Sequence, residues 1–378
     1  MNAIKQAEPR GNAGSSPSHP IRVCEVVCNL IDGGVESMLL NYLSHMDLSK
    51  FELHVVTYSV DSAGCRVKFE QLGCRVHVIP PKREGFFRSL RAMANVIKEI
   101  HPDVVHSHLT DWNGLAALCA RGCRVPRIIV HSHLSMPETP RPLHGVLCAL
   151  GKACATDLIA CSDFAAENMY GKHWASSGKV LVLNNAILAE KYRFNDGARQ
   201  ALRSRAGCSG SETIVGHVGR LTAQKNHPFL VRAFSEYKKN YDPTAKLLLF
   251  GRGEDEGAVT SLIERLGLSD AVVLMGTNPD IAMWYSAFDI FVLPSLYEGL
   301  PVSAVEAQAN GVPTLLSSEI TREVAFGKNV MFSGIDDPAS WASDMNRCLG
   351  LGRSDHPDLP DEFDIEAQAM RLEQIYAG

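Results

Sequence analysis

No stretch of this 378-residue chain stays uncharged and apolar for the ~18 residues a membrane-spanning helix needs, so any membrane contact is peripheral. The first 20 residues, MNAIKQAEPRGNAGSSPSHP, lack the apolar core of a secretory signal and are rich in Gly, Ser and Pro. Residues 1–20 therefore read as a disordered leader. A surplus of positive charge is also missing. The formal net charge is -5, with 17 Lys and Arg against 15 Asp and Glu in residues 21–185 and 18 against 26 in residues 186–378. Without a dense basic surface, recognition of a nucleic-acid backbone is excluded as the main task. The 11 cysteines show no zinc-site spacing: Cys24 and Cys28, and Cys119 and Cys123, are each three residues apart in between, and Cys148, Cys154 and Cys161 are scattered. They read as buried thiols of a protein in a reducing cytoplasm.

From Ile21 onward, short apolar runs rich in β-branched residues alternate with amphipathic ones: IRVCEVVC, VESMLLNYLSHM, FELHVVTYS, CRVHVIP, SLRAMANVIKEI, PDVVHSH, RIIVHSH, TDLIACS and KVLVLNNAI. This pattern predicts βαβ units and a parallel sheet covered on both faces over residues 21–187. Residues 188–211 are polar, charged and rich in Gly and Ser towards their end, and read as a linker containing one helix. Alternation resumes at residue 212 with TIVGHVG, AKLLLFG, VVLMG, DIFVLPS and PTLLSS, predicting a second parallel sheet over residues 212–360. Residues 361–378 carry helical spacing in Phe363, Ile365, Met370, Leu372 and Ile375 and form a C-terminal helix that can pack back on the first domain. The expected fold is α/β, two Rossmann-like doubly wound domains facing across a cleft, with ligands bound at loops beyond the carboxyl ends of the strands.

The segment PSLYEGLPVSAVEAQANGVPTLLSS (residues 294–318) follows the strand run DIFVLPS, and Pro301 suits the first turn of a helix. Glu298 then lies in the loop and Glu306 on the helix. Amides at Gly299 and Leu300 can meet a phosphate, while Glu306 can accept hydrogen bonds from neutral hydroxyls such as those of a ribose. Upstream, GRLTAQKNHPFLVRAF (residues 219–234) sets Gly219 and Arg220 after a strand and Lys225 before a helix, two cations able to neutralise a pyrophosphate. Glycine loops occur at Gly33 and Gly34 in DGGVES, at Gly251 in FGRGEDEG and at Gly276 and Thr277 in LMGTNPD; each glycine serves equally well as a turn residue. DVVHSHLTDW and RIIVHSHLSM place His106, His108, His131 and His133 at strand ends. Paired His-x-His can ligate a metal, but no third ligand is assignable from the sequence, and satisfied structural histidines are the alternative. Residues 80–100, PPKREGFFRSLRAMANVIKEI, interleave Lys82, Arg83, Arg88 and Arg91 with Phe86, Phe87 and Leu90, which fits either a helix on the sheet or a peripheral contact with an anionic membrane.

Glu298 and Glu306, with seven residues between them in that long segment, and the segment around Arg220 and Lys225 together resemble the signatures of family 4 of the retaining glycosyltransferases, which have the GT-B fold. The resemblance covers about Ile21 to Ser318. It implies transfer of a sugar from a nucleotide sugar, a UDP-sugar in preference to a GDP-sugar, with retention at the anomeric carbon. Arg220, Lys225 and the amides of Gly299 and Leu300, next to Pro301, would hold the diphosphate. Glu298 would hold sugar hydroxyls, Glu306 the ribose, and His131 the sugar near its reactive carbon, with Arg220, Lys225, His131 and Glu298 as the catalytic set. Gly33 and Gly34 would approach the donor phosphates and Gly276 would border the base. His106, His108 and His133 are candidates for acceptor-side contacts. No metal and no other cofactor is expected. LVLNNAI resembles the family's interdomain Asn-Gly-Ile-Asp segment, with Asn185 retained and Ala186 and Leu188 departing from it. The wording of the motifs looks most like bacterial capsule and exopolysaccharide members, implying a lipid-linked saccharide acceptor at the inner face of the cell membrane. A nucleotide-sugar 2-epimerase of the same architecture is the alternative enzyme, and a non-catalytic sugar-nucleotide-binding protein the alternative without turnover.

Overall fold

A computed structural model describes residues 19–31, 33–133, 141–208, 210, 212–355 and 357–378. The leader read over residues 1–20 thus falls, up to residue 18, outside the described residues. The first half contains β1 (Ile21–Val26), β2 (Asn29–Leu30), β3 (Phe51–Thr57), β4 (Ser59–Val60), β5 (Arg75–Val78), β6 (Val104–Ser107), β7 (Arg127–Ser132), β8 (Asp157–Ala160) and β9 (Val180–Val182). The second contains β10 (Ile214–Val218), β11 (Lys246–Phe250), β12 (Val272–Gly276), β13 (Ile290–Leu293), β14 (Thr314–Ser317) and β15 (Val330–Ser333).

Two sheets result, ordered β5-β3-β1-β6-β7-β8-β9 and β12-β11-β10-β13-β14-β15, and β2 pairs with β4 apart from them. All the pairings within both large sheets are parallel. Each sheet reverses its strand order once, between β1 and β6 in the first and between β10 and β13 in the second. Such a switch point splays the flanking loops apart and opens a crevice beyond the carboxyl ends of the strands. Gly33 and Gly34 lie in the segment after β1 and β2, His106 is in β6 with His108 just beyond it, Arg220 follows β10 and Glu298 follows β13, so residues the sequence singles out lie at both switch points.

Burial explains the strand composition. Val23, Val55, Val104, Ile129 and Ile159 cover one face of the first sheet and pack with Leu39, Leu43, Ile365, Ala369, Leu372 and Tyr376. The last four belong to helix Ile365–Ala377, which Asp364 caps by accepting from the amides of Glu366 and Ala367 at 2.8 and 3.1 Å. The chain thus returns from the second sheet to complete the core of the first. Its path is fixed by a parallel bridge between Ile187 and Asp364. Residues 188–211 differ from the expected single-helix linker: they form helices Ala189–Tyr192 and Asp196–Arg205. Arg203 reaches Asp289 at 2.7 Å and Arg199 pairs with the same carboxylate, so the segment is bound to the second sheet rather than strung between the two.

Candidate functional site at the facing switch points

In the second domain three loops stack backbone on backbone. The Gly219 amide donates to the Phe250 carbonyl at 2.9 Å, that of Leu221 to Arg252 at 3.0 Å and that of Gly251 to Gly276 at 2.9 Å. Gly251 has φ +134°, and a Cβ there would stand 2.0 Å from the Gly219 carbonyl oxygen, so only glycine permits this layer. Arg220 projects exposed from it and, among the described residues, makes no salt bridge. Thr277 is likewise exposed. Lys225 ends a short turn, Ala223–Lys225, and Asn226 adopts the left-handed conformation that launches helix His227–Asn240. Its Nζ lies 2.5 Å from Glu298 Oε1, while Gln224 Nε2 donates to Glu298 Oε2 at 3.1 Å and to the Tyr297 carbonyl at 2.9 Å. The buried Glu298 carboxylate is therefore charge-paired and oriented by the loop that carries the second cation.

Pro301 precedes helix Val302–Asn310 as its N-cap residue, one position earlier than the expected first turn, because its ψ of 108° is extended. On that helix the Glu306 carboxylate accepts from Tyr192 Oη and Tyr285 Oη, each at 2.6 Å. Burial raises its pKa and the two hydroxyls oppose that rise. The residue itself stays half-buried.

The two domains touch at this point. Ser162 Oγ donates to the Gly299 carbonyl at 2.8 Å and Asn185 Nδ2 to the Leu300 carbonyl at 2.9 Å. A Cβ on Gly299 would lie 2.3 Å from the His133 carbonyl oxygen and 3.0 Å from Cys161 Sγ. Glu323 of the second domain accepts from the amides of Asp163 and Phe164, at 2.7 and 3.0 Å, at the start of helix Asp163–Tyr170 in the first. A carboxylate on a helix N-terminus is favourable for charge as well as hydrogen bonding.

Across the cleft, β6 and β7 bring their His-x-His pairs together. Ring centroids of His106 and His108 are 4.1 Å apart, of His131 and His133 4.0 Å, and of His106 and His131 5.2 Å. His106 Nε2 lies 3.1 Å from His131 Nδ1, and His108 Nδ1 2.8 Å from His133 Nε2. Burial drives all four pKa values down, to about 3 at His108, so the rings are neutral near pH 7. Two partners absent from the expected site join them: Glu25 in β1, whose Oε2 is 3.0 Å from His108 Nε2, and Tyr376, whose Oη is 2.7 Å from His106 Nδ1. One ring nitrogen from each of His106, His108 and His131 lies within 4.8 Å of the others, a set with the chemistry to hold a borderline-soft metal ion. Both nitrogens of His106 and of His108 are already engaged by protein groups, and His131 Nε2 is buried without a partner.

Known proteins place this arrangement. Residues 32–191 match the family pattern described as Glycosyltransferase Family 4, and residues 212–350 that described as Glycosyl transferases group 1. The chain is 33% identical over 344 residues, 88% of each chain, to a Bacillus subtilis (strain 168) protein named as glycosyltransferase EpsF. It belongs to glycosyltransferase family 4. A second relative, 26% identical over 239 residues (61% of this chain and 62% of that one), is the Escherichia coli UDP-Gal:alpha-D-GlcNAc-diphosphoundecaprenol alpha-1,3-galactosyltransferase. The structure of Anabaena Alr3699/HepE in complex with UDP and glucose superposes with a TM-score of 0.79 at 19% identity, covering 94% of this chain and 99% of that one. The fold is GT-B.

In this family 4 glycosyltransferase the geometry joins Lys225 with Glu298, stacks Gly219, Gly251 and Gly276, sets Gly299 against His133 and gathers the four histidines. Gly33 precedes helix Gly34–Ser44 with no side-chain cap, leaving backbone to serve its first turn. Glu306 points to Tyr192 at the end of helix Ala189–Tyr192 and to Tyr285, which follows helix Ile281–Trp284, and not to the Lys225–Glu298 pair. His106 and His108 are buried, with their nitrogens turned to one another's neighbours rather than to solvent. Sequence reasoning passed over Gln224, Ser162, Glu25 and Tyr376. Glu25 alone carried a signal, a carboxylate inside the apolar run IRVCEVVC.

Proposed function

We propose that this enzyme transfers a sugar from a UDP-sugar, with retention of anomeric configuration, to a lipid-linked saccharide in cell-surface polysaccharide biosynthesis. The observation that carries the reading is the cation and carboxylate set after β10 and β13, Arg220, Lys225 and Glu298, the last on a loop whose Gly299 abuts the His133 backbone of the other domain. Arg220 and Lys225 meet the diphosphate with the Gly299 and Leu300 amides, and the charge that develops on the leaving group is what they stabilise. When the diphosphate draws Lys225 away, Glu298 is released to accept from hydroxyls of the donor sugar. Glu306 holds the ribose through lone pairs its tyrosines leave open, and His131 meets the sugar near its reactive carbon. Gly33 and Gly34 offer amides to the phosphates from the opposite domain. With two side-chain cations at the diphosphate, no metal is required there.

UDP is favoured by the complex of Anabaena HepE and by the donor in the name of the Escherichia coli relative, whose acceptor is diphosphoundecaprenol-linked. Among the described residues no helix is long and apolar enough to cross a membrane. A peripheral contact is supported by helix Phe86–Ile100, where Phe87 is 82% exposed beside exposed Arg88 and Arg91, and by Val146, 65% exposed. Lys82 Nζ sits 3.8 Å over the Trp112 ring at the base of that helix. Anionic headgroups would meet the arginines while the rings enter the interface.

Thermal unfolding with UDP, GDP and ADP, without metal, tests the donor assignment. UDP at 100 times its Kd should stabilise by about 2.7 kcal/mol, and Arg220→Ala should lose the shift. A GDP or ADP shift in place of the UDP one would overturn the donor. Absence of any transfer from UDP-sugars to polyprenyl-diphosphate saccharides would overturn the acceptor.

A further inference from the structure

We propose that Glu25, Tyr376 and His106 are positioning residues that fix the tautomer of His131, so that its Nε2 presents a lone pair to the donor sugar, while Glu25 acts through His108 to do the same at His133 Nδ1. The inference rests on the proposed sugar-facing role of His131. Glu25 is 0% exposed in the middle of a strand covered on both faces, where a carboxylate is costly unless fully bonded. Both of its oxygens are engaged: Oε1 lies 2.5 Å from Tyr376 Oη and Oε2 lies 3.0 Å from His108 Nε2.

With Glu25 ionised, hydrogen accounting leaves one arrangement. An ionised carboxylate only accepts, so Tyr376 O–H donates to Oε1 and the tyrosine oxygen must accept from His106 Nδ1–H at 2.7 Å. Neutral His106 keeps a lone pair on Nε2, which accepts from His131 Nδ1–H at 3.1 Å. His131 Nε2 is thereby bare, and this is the atom that lies buried with no partner in a residue 1% exposed. The second branch runs alike: His108 Nε2–H donates to Glu25, and His108 Nδ1 accepts from His133 Nε2–H at 2.8 Å. His133 Nδ1 is left as an acceptor. Asn113 anchors the assembly, donating to the His131 carbonyl at 2.9 Å while its Oδ1 accepts from the Leu109 amide and Ser107 Oγ. A bare imidazole nitrogen accepts from a sugar hydroxyl; a protonated one would have to donate, so the buried carboxylate sets which pattern of hydroxyls the pocket receives.

Imidazole 15N spectra of the labelled full chain test this, with Glu25→Gln as the variant, since an amide of the same shape always offers one donor and one acceptor, as the protonated acid does. At pH 9 the wild type should show unprotonated His131 Nε2 and His133 Nδ1. Glu25→Gln should show one of them protonated at every pH, with kcat reduced about tenfold, the worth of one hydrogen bond, and UDP affinity unchanged. Tyr376→Phe, which removes one hydroxyl, should release the His131 tautomer and leave His133 as it was. A protonated His131 Nε2 in the wild type at pH 9, unchanged tautomers in Glu25→Gln, or shifts that move on adding EDTA and so report a bound metal would each overturn the proposal. Wild-type protein with the stated tautomers but no UDP binding would instead sink the transferase reading.

Discussion

Gly299 is where the donor loop meets the opposite domain, and replacing it by alanine isolates that contact. A Cβ there would sit 2.3 Å from the His133 carbonyl oxygen and 3.0 Å from Cys161 Sγ, so the loop must retreat by roughly 1 Å to reach ordinary van der Waals distance. Retreat stretches the bonds from Ser162 Oγ to the Gly299 carbonyl and from Asn185 Nδ2 to the Leu300 carbonyl beyond useful length. Overpacking costs about 1–3 kcal/mol and each lost hydrogen bond about 1 kcal/mol. Partial relaxation leaves a net penalty of about 2–4 kcal/mol against the closed arrangement, a shift of about 30- to 1,000-fold in the ratio of closed to open protein. Cys161 and Leu300 are buried in a cluster that both domains share, so the cost falls on the contact between the domains and on catalysis. Steady-state transfer should show kcat/KM for the donor lowered by at least about 30-fold, with a thermal midpoint within a few degrees of wild type. Gly257→Ala is the control: its Cβ meets nothing within 4 Å near the start of helix Glu256–Arg265, and alanine there should be neutral or stabilising by up to about 1 kcal/mol. A Gly299→Ala enzyme with wild-type kcat/KM and an unchanged small-angle scattering profile would refute the reasoning.

Lys225→Ala leaves the buried Glu298 carboxylate with Gln224 alone, and chemical denaturation should show about 2–3 kcal/mol lost together with the UDP-induced shift, whereas Glu298→Gln should abolish transfer at a smaller cost in stability. The four depressed histidines favour folding above their unfolded pKa of 6.5, and this contribution is lost as pH falls through their folded values, at about 1.4 kcal/mol per pH unit for each ring. Glu25, raised from 4.5 to about 8, works in the opposite sense and withdraws stability as pH rises across that window, so urea midpoints across pH 4–9 should pass through a maximum, and Glu25→Gln should flatten its alkaline side. Vesicles containing phosphatidylglycerol should sediment the wild type at low salt, uncharged vesicles should not, and Phe87→Ala with Arg88→Ala should release it; equal binding to both vesicle types would remove the peripheral-membrane reading.

Periodicity reveals the parallel sheets because strands buried on both faces must be apolar throughout, and the motif around Glu298 shows itself because its residues are contiguous. Features built between distant segments are hidden from such reading. Glu306 bonds Tyr192 and Tyr285, and neither tyrosine stands in a pattern that announces it. Asn185 keeps its place in a hinge segment that otherwise departs from the family wording, and its bond to Leu300 shows that the side chain reaches the donor loop. Each His-x-His pair lacks a third ligand in the sequence because that ligand comes from the neighbouring strand, while the groups that bond the rings come from β1 and from a helix after the second sheet. Residues 188–211 read as a linker because their charges predict solvent, but Arg199 and Arg203 spend those charges on Asp289.

Helix Ile365–Ala377 has a consequence for how the protein is made. Ile365, Ala369, Leu372 and Tyr376 belong to the core of the first sheet, yet translation reaches them only after the whole second sheet. At about 5–20 residues per second, the first domain must wait many seconds on the ribosome with an apolar face uncovered and Glu25 short of a partner. Domain-by-domain folding during synthesis is therefore incomplete by design, and a fragment cut at the hinge would be an unfinished protein. A nascent chain interrupted inside the second domain would lack the hydroxyl that orders the histidines, so premature termination yields no half-active transferase.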